Sequence, residues 1–123
     1  MKFASRVFWI AAIVGIVALL PLYFVESLFP TLSPPAITHP EFYYGFASIG
    51  LAWHVAFIQI AREPVRLRPV MIAAALEKLG FGAGGMVLFA LGRVAILLVP
   101  VAMADLVFAS LFMLAYMRTP ERF

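Results

Sequence analysis

Four long apolar stretches run through this 123-residue chain, separated by short polar connections. They cover about Val7–Val25, Phe42–Ala61, Val70–Leu91 and Val94–Met117. A helix needs ~20 apolar residues to cross a ~30 Å hydrocarbon core, and each stretch supplies them. A spanning helix also satisfies its own backbone N–H and C=O groups, which lipid cannot do. The expected fold is all-α: a four-transmembrane-helix bundle, one integral membrane domain over residues 1–123. No polar stretch is long enough for a second domain. The first stretch follows Lys2 and Arg6, as a signal peptide would. It then passes through Pro21, Leu22, Tyr23 and Phe24 with no small-x-small cleavage site, so it reads as an uncleaved span.

The connections differ in charge. Glu26–Glu41 has no Lys or Arg but holds Pro30, Pro34, Pro35 and Pro40, the composition of an extended, turn-rich loop. Arg62–Pro69 carries three arginines, and the third connection is only Gly92-Arg93, as in a tight helical hairpin. Outside the spans, Lys2, Arg6, Arg62, Arg66, Arg68, Arg118 and Arg122 fall on one side, and Arg93 alone falls on the other. By the positive-inside rule both termini are cytoplasmic. Tyr23, Phe24, Phe42, Tyr43 and Tyr44 then form an outer aromatic belt, with Trp9 and Tyr116 at the inner interface. With both termini on one side, the two-span halves are not an inverted repeat, and no internal sequence repeat is present.

Composition agrees with lipid as the solvent. The chain is 65% hydrophobic and 12% charged, whereas soluble domains are nearer a half apolar and a quarter charged. With no cysteine there is no disulfide and no thiolate chemistry. The net charge of +3 expresses orientation, since no basic stripe interleaved with aromatics marks nucleic-acid binding. His39 and His54 are the only histidines and no metal-ligand spacing occurs, so neither a metal nor a cofactor is expected. His39, in the proline-rich loop, reads as solvated.

The candidate chemistry lies in four residues inside the spans: His54, Glu77, Lys78 and Asp105. Charges there are expensive, so they face a protein interior, a wet cavity or each other. Glu77 lies seven residues beyond Val70, ~10 Å into the core, and His54 lies eight before Arg62, ~12 Å deep, so the two are level. His54 reads as a core histidine bonded to a backbone carbonyl or hydroxyl, with a His54–Glu77 contact between spans two and three as the alternative. Lys78 leans toward the cytoplasm and can snorkel there, as counter-ion of the cluster or merely its neighbour. Asp105 sits near the middle of span four and reaches neither interface. It must face the bundle, where an acid is protonated, paired or hydrated.

Small residues mark the packing faces. On span three, Ala73, Glu77, Gly80 and Gly84 share a face whose Gly-x-x-x-Gly pair favours packing within the bundle. On span four, Ala102, Asp105, Ala109, Phe112 and Tyr116 recur at three- and four-residue steps. On span two, His54 shares its side with Gly50 and Phe57, and Trp53 is one residue off. Span one reads as a packing helix kinked near Pro21.

Several of these elements also occur together in a known group. They are Tyr43-Tyr44-Gly45-Phe46, the Arg-x-Arg-Pro connection Arg66–Pro69, Glu77-Lys78-Leu79-Gly80, and Asp105 followed by Phe112, Ala115, Tyr116 and Arg118. The pattern resembles the small four-helix membrane proteins of the DoxX-like and BphX-like type. The resemblance implies a multi-pass protein of the bacterial cytoplasmic (inner) membrane, in a group some of whose members accompany oxidoreductase systems handling sulfur compounds or quinones. It carries over no catalytic residue.

The preferred functional reading is a non-enzymatic membrane protein. Its pocket between spans two, three and four, lined by His54, Glu77, Lys78 and Asp105, would bind a small hydrophobic ligand or a membrane-protein partner. The alternative is a proton-coupled small-molecule transporter acting as a homo-oligomer. Four-span exporters of that kind usually carry their acid in span one, which has none here. A further alternative is an intramembrane isomerase-like enzyme, since His54, Trp53, Glu77 and Asp105 match the inventory, though not a motif, of emopamil-binding sterol isomerases.

Overall fold

The computed structural model describes residues 2–32 and 37–121, apart from the side chains of Phe29 and Leu32. Pro34, Pro35 and Arg122, which entered the sequence reading, lie outside them. The described residues are helical, without strands: α1 (Lys2–Leu19), α2 (Phe29–Leu32), α3 (Pro40–Arg62), α4 (Val70–Ala90) and α5 (Leu98–Arg118). Four helices are long and apolar enough to cross a membrane: α1 with its 3₁₀ extension Leu20–Phe24, then α3, α4 and α5.

Local chemistry sets the boundaries. Pro21 lacks the N–H that a continued α-helix would require, and the chain tightens into the 3₁₀ turn there. α3 starts with Pro40 in its first turn, next to Glu41, and ends with Arg62, which suits the helix dipole at both ends. Glu63 precedes Pro64 and leaves helical geometry at φ −137° and ψ 63°. α4 ends in a Schellman motif: Gly92 adopts φ +70°, its N–H donates to Phe89 O at 2.9 Å, and Arg93 N–H donates to Leu88 O at 2.9 Å.

Two boundaries correct the sequence reading. α1 is helical from Lys2, so Arg6 lies within the helix and not before it. α5 begins at Leu98, not Val94, so the hairpin connection is longer than Gly92-Arg93. Pro100 explains the later start. It is tolerated in a first turn, whereas a helix from Val94 would place it where its missing donor and ring break the ladder.

The bundle consists of two helical hairpins, α1 with α3 and α4 with α5, joined mainly where α1 meets α5; α3 and α4 touch little. The apolar core lies at the basic end. It includes Ala4, Phe8, Ala11, Phe57, Ile60, Met71, Ala74, Phe112 and Ala115. Three fully buried rings fasten the hairpins there. Phe8 stacks on Phe112 at 4.2 Å between centroids, and Phe57 meets Phe112 edge-on at 5.0 Å. Polar contacts close the same end: Ser5 donates to Ala61 O at 2.8 Å, and the Arg68 guanidinium, 3.9 Å over the Tyr116 ring, donates to Tyr116 O at 3.0 Å.

At the other end the hairpins part. Among the described residues, Phe46 on Phe81, at 5.4 Å, is a ring contact that bridges them there. Tyr43 donates to Leu22 O at 2.6 Å and Tyr44 donates to Glu26 Oε2 at 3.3 Å, both within the first hairpin. The space left between the hairpins above the aromatic layer is the candidate site.

Candidate functional site

Glycines decide which polar groups meet. Against Gly82, a Cβ would lie 2.9 Å from Ala102 O, and against Gly85 it would lie 3.1 Å from Ala102 Cβ. α4 and α5 therefore approach closely, and Lys78 on one faces Asp105 on the other. In the first hairpin, Gly15 of α1 leaves the slot that the His54 imidazole fills; a Cβ there would overlap the ring. A Cβ on Gly50 would lie 2.7 Å from Leu19 Cδ1. These glycines thus make room for one ring and two close helix crossings.

The polar centre is a chain of three groups. His54 Nδ1–H donates to Gly50 O at 2.5 Å. A carbonyl only accepts, so Nδ1 carries a proton, and Nε2, which faces the Lys78 ammonium, is the acceptor. Lys78 Nζ donates to that Nε2 at 3.1 Å and to Asp105 Oδ1 at 3.3 Å. His54 is 2% exposed and Lys78 5%. Phe57 and Phe108 flank the ammonium, with Nζ 5.6 Å and 5.8 Å from their centroids.

The placement matches the readings of His54 as a core histidine on a backbone carbonyl and of Lys78 as a counter-ion, and departs from the others. Lys78 does not snorkel: Phe57, in the buried aromatic layer, flanks it, and Asp105 and His54 hold it inward. Glu77 does not pair with His54. One residue along a helix is a 100° rotation, and the inward stripe of α4 is Met71, Ala74, Ala75, Lys78, Gly82 and Gly85. Glu77 Oε2 is enclosed with no hydrogen-bond partner. The Ala73–Glu77–Gly80–Gly84 face does not pack within the bundle either: Gly80 and Gly84 are exposed, and a Cβ added at either would meet nothing within 4 Å.

His54, Glu77, Lys78 and Asp105 line one cavity of about 310 Å³. The rest of its wall is apolar: Phe46 and Phe81 on the side of α3 and α4, Val101, Ala104 and Phe108 on α5, and Ala11, Val14, Gly15 and Ala18 on α1. α1 is therefore part of the site, which the sequence reading confined to the other three spans. The signal for this was Gly15, the single glycine of span one. Trp53 packs against the core and does not line the cavity. His39 is exposed and contacts Thr38 Oγ1 through Nδ1 at 3.0 Å.

Chemically, the site is an apolar pocket with a polar patch near its floor. Two of the three N–H bonds of Lys78 are used, by His54 and Asp105, which leaves one donor. Glu77 adds an acid without a partner for Oε2. Among the described residues no three His, Cys, Asp or Glu side chains are placed to hold a metal ion. Comparison of the chain with protein-family models, curated proteins and solved structures finds no match.

Proposed function

We propose that this is a multi-pass protein of the bacterial inner membrane, with both termini in the cytoplasm, that binds a small, mainly apolar molecule between its two hairpins. The observation that carries this reading is the convergence of His54, Glu77, Lys78 and Asp105 on one otherwise apolar cavity. Ligand sites are concave and mostly apolar, with a few polar groups that fix orientation, and volumes from ~300 Å³ are typical. Basic residues gathered at the end away from the cavity, and the DoxX-like resemblance, support the orientation and the membrane.

The ligand reading is tested by filling the pocket. Ala104 lines the cavity yet is exposed, so Ala104→Trp can place an indole in the opening without crowding the core. An uncharged solvatochromic probe is expected to bind the wild type in nanodiscs with a blue-shifted emission, and to bind Ala104→Trp at least tenfold more weakly. Equal binding by both would remove the cavity as the site.

Orientation is testable because the chain has no cysteine. A cysteine introduced at Thr38 should react with a membrane-impermeant maleimide in intact cells. One at Glu63 should react only after permeabilisation. The reverse pattern would invert the topology.

A further inference from the structure

Among the described residues, the cavity contains one more acid than it has cations. Four long helices surround it. α1 contributes no ionisable group, α3 contributes His54, α4 contributes Glu77 and Lys78, and α5 contributes Asp105. The His54 ring is neutral, because Nδ1 donates to Gly50 and Nε2 accepts from Lys78. The Lys78 charge is taken by Asp105 at 3.3 Å. Glu77 is left, with Oε2 enclosed and unpartnered. Glu77 lines the cavity with no second cation opposite it, and a charge inside a membrane-spanning bundle is stabilised by an opposite one. The same cavity is lined by Phe46, Phe81 and Phe108, and aromatic rings attract organic cations.

We propose that the cavity takes a lipophilic organic ammonium compound, its cationic head between Glu77 and the rings of Phe46 and Phe81 and its apolar body along the rest of the apolar wall. This rests on the reading of the cavity as a ligand site and names the class of ligand. A neutral apolar molecule would fill the same volume but leave Glu77 as it is. An anion would gain the free Lys78 donor but would stand against two acids. A cation answers both the odd carboxyl and the phenylalanine wall. At about 310 Å³ the space suits a compound the size of benzyltriethylammonium.

The experiment compares benzyltriethylammonium with its neutral quaternary-carbon analogue, by calorimetry on the protein in nanodiscs of uncharged lipid. The wild type is expected to bind the cation at least tenfold more tightly than the analogue. Glu77→Gln should lose that preference while still binding the analogue. Phe81→Leu, which removes a ring and no charge, should lower the preference severalfold, and it keeps the test open if Glu77→Gln does not fold. Equal binding of both probes by the wild type, or an undiminished preference in Glu77→Gln, would overturn the assignment of a cation while leaving the cavity a ligand site. Binding of neither probe would overturn the ligand site itself, and this assignment with it.

Discussion

Lys78→Leu is expected to destabilise the folded protein by about 3–5 kcal/mol, as removal of one partner from a buried ion pair does. The substitution removes the cation of the cavity and leaves Asp105 and the His54 Nε2 lone pair without their donor. Much of the cost is therefore the stranding of Asp105 and not the lost attraction. It follows that the double substitution Lys78→Leu/Asp105→Leu should be markedly more stable than Lys78→Leu alone, because an apolar pair in place of a buried ion pair is often neutral or better. Unfolding in mixed micelles, followed by helical circular dichroism, gives the cycle. A double variant whose loss equals the sum of the two single losses would show that the pair is not coupled. That outcome would return Lys78 to the interface, the position that its flexible stem first suggested.

The second large effect is expected at Gly15. A methyl group there would overlap the His54 ring, so Gly15→Ala must move either the ring or helix α1. Overpacking of this kind costs about 1–3 kcal/mol, and loss of a buried hydrogen bond adds about 1–3 more. The change has a built-in control. His54→Ala empties the slot, so Gly15→Ala should cost nothing further when placed on His54→Ala. Gly80→Ala and Gly84→Ala should be neutral or stabilising by up to about 1 kcal/mol, since alanine is the better helix former and nothing stands in its way. Equal losses at Gly15 and Gly80 would mean that the ring is not seated against α1.

These two residues also show what was legible in the chain. The four long apolar helices follow from hydrophobic length, and α4 departs from its expected limits by a single residue at its C-terminal end. The relative level of these groups along the helices was legible as well, because helical rise puts His54 level with the Glu77-Lys78 pair from residue counts alone, and Lys78 meets His54. Rotation was not. On α4 both Ala73–Glu77–Gly80–Gly84 and Ala74–Lys78–Gly82–Gly85 are small-residue stripes of helical period, one holding the acid and one the base. A membrane helix with small residues all round carries little signal for its inward face, because lipid is as apolar as a helix interface. The deciding fact is a tertiary one: Gly82 and Gly85 meet Ala102, which turns Lys78 toward Asp105 and leaves Glu77 to the side. The part of α1 was hidden for the opposite reason. It contributes no polar side chain to the cavity, only apolar wall at Ala11, Val14 and Ala18 and the space at Gly15 for a ring from another helix.

The pairing of helices explains why the site exists at all. Sequence neighbours α3 and α4 barely touch, although the Arg62–Pro69 connection is short. Each hairpin is packed within itself, and the aromatic layer of Phe8, Phe57 and Phe112 locks them together at one end, with Phe46 on Phe81 bridging them more loosely at the other. A bundle built this way has a rigid floor and a parted upper half. The ion pair then stands at the boundary between the two, at the foot of the cavity.

The central claim is that a small apolar molecule enters this space in preference to the outer surface of the bundle. Photolabelling with an uncharged diazirine probe in nanodiscs, followed by peptide mapping, tests it most directly. Adducts should concentrate on the cavity residues Val14, Phe46, Phe81 and Val101 and disappear when an excess of unlabelled probe is added. Labelling that falls equally on the exposed residues Ile13, Val17 and Leu76, which do not line the cavity, and that resists competition, would contradict it.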